Sequence, residues 1–288
     1  MSEGEGSDRI GSVLGGRYEL RDVIGSGAQG FLYRARDNRG GEDVAIKILR
    51  NAANDPDAVE RLFREAQAMT QLLNTAAVRV LDQVTAAEGG IGIVMELLRG
   101  RDLDDELSEL ERAGERMPLY QVVDVFGPIV STLEVARQAG IIHRDIKPPN
   151  IFLVHPAYGG GVRLLDFGFA RFTGTRRITK AGMIAGSPRY LSPEAWLGVT
   201  DLDHRADAYG LAVVLYRVLA GKLPFEGSDY LALMKAVTAG PRPSLHALRP
   251  DLPDAIDGWV ALALNPDRDR RFQTAKAMWS ALRTCLVV

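Results

Sequence analysis

Apolar and polar positions alternate in three successive segments, "YELRDVIG" (18–25), "FLYRARD" (31–37) and "DVAIKIL" (43–49), which predicts three antiparallel strands joined by turns at "GSGAQG" and "NRGGED". The period then changes. "NDPDAVERLFREAQAMTQLL" sets Val59, Leu62, Phe63, Ala66 and Leu73 at helical spacing behind a capping Asp55, with Pro56 at the first helical position. Two more strand-like pieces, "AAVRVLDQVT" and "GIGIVMEL", follow before "LRGRD" breaks the pattern. Beyond it, "LYQVVDVFGPIVSTLEVARQAG" carries apolar residues at 122, 123, 126, 129, 130 and 133, a helix that Pro128 should bend. "IFLVHPAYGGGVRLLDFG" reads as a hairpin and the remainder as helices. The pattern predicts an α+β chain: a flexible Gly- and Ser-rich tail over 1–16, a small antiparallel β lobe with one helix over 17–98, a larger mainly helical lobe over 99–288, and a cleft between the lobes.

Composition narrows the function classes. With 288 residues, 46% of them hydrophobic, the chain can bury one large or two moderate cores. A net charge of −2, without a long basic run, gives no electrostatic case for nucleic acid. The single Cys285 cannot form an internal disulfide, and four scattered histidines do not read as a metal cluster, so a reducing cytoplasm fits. The opening "MSEGEGSDRI" has no signal-peptide pattern, and the run "YGLAVVLYRVLAG" is interrupted by Arg217 and too short to span a bilayer, so no membrane segment is expected in this stretch.

Some polar residues resist a bland reading. Gly25, Gly27 and Gly30 have a spacing that could open a dinucleotide-binding helix, but Phe31 to Ala35 alternates like a strand, so a Gly-rich hairpin is expected. Lys47 sits between Ala45 and Leu49 on one strand face, while Val44, Ile46 and Ile48 take the other. Glu65 shares a helix face with Leu62 and Met69, so an apolar-flanked lysine and an apolar-flanked carboxylate would satisfy each other. "HRDIKPPN" (143–150) then packs His, Arg, Asp, Lys and Asn ahead of the apolar "IFLV".

In this order, the Gly-rich loop, "VAIK", Glu65, "HRDIKPPN", "DFG" (166–168) and "SPE" (192–194) make the chain resemble eukaryotic-like protein kinases over residues 17–285. "FREAQAM", "YLSPEA" and "RFQTAKAM" resemble the bacterial Ser/Thr branch. The resemblance implies a bilobal kinase fold and transfer of the ATP γ-phosphate to protein serine and threonine hydroxyls. It implies that Asp145 accepts the hydroxyl proton, Lys147 steadies the transferred phosphoryl, Asn150 and Asp166 hold Mg²⁺ (or Mn²⁺ in its place), and Lys47, held by Glu65, anchors the α and β phosphates beneath Gly25, Gly27 and Gly30. Adenine would lie against Ile24, Ala45 and Phe152, with Met95 as gatekeeper and the backbones of Glu96 and Leu98 as its hinge.

The same resemblance makes the segment 166–194 an activation segment. Ser187 stands in its substrate-docking loop in place of threonine, and Glu194 pairs with Arg271 in preference to Arg270. Asp207 braces the catalytic-loop backbone. Arg144 would receive a phosphate carried by Thr173, Thr175 or Thr179, Thr179 being preferred. Departures from the pattern are Ser192 for alanine, Ala212 for glycine, the missing His-Pro-Asn turn in "NTAAVRVLD" and two extra residues in "NPDRDRRF". Alternatives are a nucleotide-binding pseudokinase or scaffold, and a small-molecule kinase. Protein substrates and ATP are the partners, a homodimer phosphorylating in trans is open, and the chain fits the cytoplasmic kinase domain of a longer protein.

Overall fold

The computed structural model describes residues 7–27, 30–49, 70–85, 91–167 and 188–286. The helix expected over 55–73, with Glu65, lies outside them except for one helical turn at Thr70–Leu72. The chain divides into two compact units. Among the described residues, the first runs to Leu73 and resumes at Val78–Arg99, and the second takes Asn74–Ala77 and the chain from Gly100 onward.

The first unit is a six-stranded antiparallel sheet of β1 (Val13–Leu14), β2 (Tyr18–Gly27), β3 (Gly30–Asp37), β4 (Asp43–Leu49), β5 (Val80–Thr85) and β6 (Ile91–Glu96), in the order β1-β2-β3-β4-β6-β5. The expected alternation sorts its faces. Val44, Ile46 and Ile48 join Leu14, Tyr18, Leu20, Tyr33, Ala35 and Val94 in one core, and Lys47 points the other way. β1 lies within the stretch expected as a tail: two residues are too few to show a period, and backbone pairing to Tyr18 and Glu19 orders them.

β5 lies at one edge of this sheet and β2 next to the other, yet the Tyr18 hydroxyl donates to Asp82 Oδ2 at 2.8 Å. Arg17 joins the same carboxylate at 3.1 Å and grips Asp37 through two bonds of 2.7 and 2.8 Å. The sheet therefore curls until its ends meet, closed by a polar cluster over an apolar core. Burial pushes the Tyr18 hydroxyl well above its usual range, reinforced by Asp82, whereas the Arg17 guanidinium holds Asp37 well below the ordinary carboxylate value.

The second unit contains a three-stranded antiparallel sheet, β7 (Gly100–Asp102), β8 (Ile151–Val154) and β9 (Val162–Leu164), and seven described helices: α1 (Leu103–Ala113), α2 (Leu119–Gln138), α3 (Pro193–Trp196), α4 (His204–Ala220), α5 (Tyr230–Ala239), α6 (Ala255–Ala263) and α7 (Ala275–Leu286). β8 and β9 are the expected hairpin, and "GRD", expected only as a break, adds β7 to it. α2 runs unbroken through Pro128 and buries Val122, Phe126, Ile129, Val130 and Leu133. By length and composition α2 could cross a membrane, but its apolar side chains pack on α4 and α7 as a core helix does. α4 is buried on all sides from Asp207 to Ala220, and α2, α6 and α7 pack around it. Ala212, where a glycine was expected, is fully enclosed there.

The turn lacking His-Pro-Asn finds other anchors. Asn74 adopts the left-handed conformation at φ 66°, the Ala76 N–H donates to Thr132 Oγ1 at 2.8 Å, and the Ala76 carbonyl accepts from the Leu164 N–H at 2.7 Å.

Candidate active site

The segment between α2 and β8 is polar, yet it is fastened from below. Asp207 in α4 accepts the N–H groups of His143 and Arg144, each at 2.7 Å, one on each carboxylate oxygen. Burial raises the Asp207 carboxyl above its ordinary value, opposed by His143 and the two backbone donors. Arg144 is held at φ 69°, a left-handed conformation that costs a non-glycine residue about 1–3 kcal/mol and persists only where its surroundings impose it.

His143, fully buried, connects this loop to the segment after β9. Its Nε2 lies 2.8 Å from the Leu165 carbonyl, which can only accept, so the proton sits on Nε2 and leaves Nδ1 to accept the Asp145 N–H at 3.3 Å. Its ring packs at 4.5 Å from that of Phe167. Asp166, between those two contacts, is also left-handed at φ 57°. The Leu165 N–H donates to the Asn150 carbonyl at 2.8 Å, a second tie between the two segments.

Asp145, Lys147 and Asn150 form a tight cluster. Asp145 Oδ2 receives Lys147 Nζ at 2.6 Å and Asn150 Nδ2 at 3.0 Å, and the same Nδ2 donates to the Asp145 carbonyl at 2.7 Å. Both amide bonds leave from nitrogen, so the carboxamide oxygen is the end of Asn150 that can face a cation. The Lys147 and Asn150 side-chain bonds to the carboxylate both fall on Oδ2, and neither uses Asp145 Oδ1. Asn150 Oδ1 and the Asp166 carboxylate are hard oxygen donors of the kind Mg²⁺ requires.

Further along, Glu194 pairs with Arg271, not Arg270. The guanidinium fork meets the carboxylate through bonds of 2.9 and 2.6 Å with both side chains buried, while Arg271 Nε donates to the Asn265 carbonyl at 2.6 Å and the guanidinium lies 4.8 Å from the Tyr209 ring centre. Burial alone would raise the Glu194 carboxyl, but the Arg271 fork outweighs it and holds the carboxyl below its ordinary value. Tyr190, four residues before Glu194, accepts a 2.9 Å bond from Arg217 of α4.

In the first unit, Gly25 pairs with Leu32, Ser26 with Phe31 and Gly27 with Gly30, so the glycines form the tip of a strand-turn-strand hairpin and do not open a helix. Lys47 is half-buried opposite Leu32 and Ile93, and Ala45 faces Met95 across β4 and β6. Ile24 is exposed, and Glu96 and Leu98 are half-buried. The Glu96 N–H is spent on the Arg79 carbonyl at 3.0 Å. Phe152, in the second unit, pairs with Asp102 and Arg163. Glu65, Thr173, Thr175, Thr179 and Ser187 lie outside the described residues.

Residues 18–278 match the protein kinase domain. The chain belongs to the protein kinase family. Its relatives include the serine/threonine-protein kinase PknA of Mycobacterium tuberculosis, 35% identical over 93% of this chain and 61% of the relative, and PksC of Streptomyces coelicolor, 36% identical over 96% and 51%. The chain thus spans about half to three-fifths of the length of these curated relatives. The solved PknI kinase domain of M. tuberculosis superposes with a TM-score of 0.74 at 26% identity, covering 97% of this chain and 99% of that one.

Within this kinase domain, reasoning from sequence passed over His143 and left Arg217 and Tyr190 without a role. Two of them carried a signal: His143 begins the polar octapeptide ahead of the apolar "IFLV", and Arg217 is the only charge between Ala208 and Ala220.

Proposed function

We propose that this kinase domain transfers the γ-phosphate of ATP to serine and threonine hydroxyls of proteins. The observation that carries this reading is the Asp145–Lys147–Asn150 cluster, braced on α4 through Asp207 and tied through His143 to Leu165 and Phe167, the neighbours of Asp166. Asp145 takes the proton as the hydroxyl oxygen bonds to the γ-phosphorus and the bond from that phosphorus to ADP breaks. Lys147, already 2.6 Å from Asp145, balances charge on the phosphoryl in flight. Mg²⁺, or Mn²⁺ in its place, would be held by Asn150 and Asp166 and would neutralise phosphate charge when bound.

Lys47 is the residue of the first unit that would hold the α and β phosphates, with Gly25, Gly27 and Gly30 letting backbone amides come close. The Glu96 and Leu98 backbones would meet the adenine edge, and Ile24, Ala45 and Met95 of the same unit would supply apolar contact. Arg144 would receive phosphate on an activation-segment threonine, Thr179 before Thr173 or Thr175, placed there by a second copy acting in trans. Ser187 would sit in the acceptor loop.

Incubation with Mg²⁺-ATP and casein, read by mass spectrometry, tests this. Asp145→Asn should lower transfer about 10²–10⁴-fold, and Lys47→Met should also abolish incorporation while the fold persists by circular dichroism. Nucleotide binding by the intact chain with no phosphate on any protein would overturn the reading in favour of a scaffold.

A further inference from the structure

Arg217 is out of place by every local criterion. It occupies a helix in which Val213, Val214, Leu215, Tyr216, Val218 and Leu219 are all at most 1% exposed, and it is itself 9% exposed. A guanidinium in such surroundings is costly unless its donors are filled. They are filled from two directions. Nε and NH2 grip Glu111 of α1 at 2.8 and 3.1 Å, and NH1 bonds Asp104 at the start of α1 and the Tyr190 hydroxyl at 2.9 Å. The rigid planar fork serves these three partners at once, which the single ammonium of a lysine cannot do.

Tyr190 is the point of interest. It closes the helical turn Pro188–Tyr190 that follows Ser187, and it precedes the Ser192-Pro193-Glu194 sequence. The far end of this short run is pinned by Arg271 through Glu194, and its near end by Arg217 through Tyr190. α4 also supports the catalytic loop at the same place. A Cβ added to Gly210 would lie 3.2 Å from the Ile146 carbonyl oxygen and 3.5 Å from that of Tyr190, so both segments rest against one glycine. Asp207, Gly210 and Arg217 fall on one side of α4 at spacings of three and seven.

We infer that Arg217, clamped by Glu111 and Asp104, is a positioning residue for the protein acceptor: through Tyr190 it fixes the docking loop relative to Asp145. The inference rests on the proposed kinase activity. It makes α1 part of the apparatus that sets acceptor binding, although α1 contributes no group to the chemistry.

The test is steady-state transfer from Mg²⁺-ATP to casein, with ATP hydrolysis measured in parallel. Tyr190→Phe removes one hydroxyl and keeps the ring. It should raise KM for casein about three- to tenfold, the value of one hydrogen bond, while KM for ATP and the hydrolysis rate stay as in the parent. Arg217→Met should do at least as much, and adding Tyr190→Phe to it should change nothing further. Arg217→Lys should not restore the parent value. If Tyr190→Phe leaves KM for casein unchanged, or lowers hydrolysis and transfer alike, the positioning role is refuted. A parent chain that transfers nothing overturns the kinase reading itself, a result that the variants cannot produce.

Discussion

His143 commits its two ring nitrogens to different segments, one to the Leu165 carbonyl and one to the Asp145 N–H, and Asp207 commits its two oxygens to consecutive amides. Such paired bonds leave little room for substitution. Asp207→Asn keeps one acceptor and turns an N–H toward the other amide. Unfolding in urea should show a loss of about 1–3 kcal/mol, with a parallel fall in kcat. Glu194 gives a pH signature. Its folded carboxyl titrates below the ordinary 4.5, so its stabilisation is fully present above that value and fades as pH drops through the folded value. Glu194→Gln leaves Arg271 buried without its counter-charge and should cost about 3–5 kcal/mol near neutrality. The gap between variant and parent should shrink in acid, and a gap independent of pH would contradict the pairing. The Glu194–Arg271 pair and the Asp207 brace were legible in sequence because each belongs to an ordered set of motifs. Arg217 was visible only as an interruption, since its partners, Glu111 and Asp104, are more than a hundred residues away and no local period points to them.

Elements with a sustained period were the easiest to read. β2, β3, β4 and β6 fall where alternation put them, and α2 where its apolar stripe put it. β1 and β7, with two and three residues, have no period to read, and backbone pairing sets their place in the sheets. β7 depends on one residue in particular. Gly100 sits at φ 154°, and a Cβ there would be 2.0 Å from the Leu153 carbonyl oxygen of β8. Gly100→Ala must push the two strands apart and should destabilise the domain by about 1–3 kcal/mol or more, seen as a lower Tm. Asp229 is a milder case. Its carboxylate caps α5 by accepting the Ala232 N–H at 2.8 Å, so Asp229→Ala should cost about 1 kcal/mol in the same melt.

For the whole molecule, the cation and the fold should be separable. If the cation is held by Asn150 and Asp166 as proposed, two side chains supply few of the oxygens in the octahedral shell that Mg²⁺ takes, and phosphate and water would have to supply the rest. Removing divalent cations with EDTA should stop transfer while leaving Tm without nucleotide unchanged. A Tm that drops on chelation would instead indicate a structural ion. The switch from alternation to helical spacing near residue 98 led to an expectation of two lobes; the structure divides into two compact units, with Asn74–Ala77 joining the second. The sequence could not reveal the curled closure of the first unit, where Tyr18 and Asp82 are 64 positions apart. Nor could it reveal how completely α4 is enclosed. That enclosure governs persistence in time. Amides from Asp207 to Ala220 reach solvent only when the surrounding helices detach, so their deuterium uptake should be among the slowest in the chain. The loop that carries Asp145 and the turn that carries Tyr190 hang from that helix. They should lose their geometry only when the entire second unit opens, and a protease or denaturant should silence transfer and unravel α4 in one event.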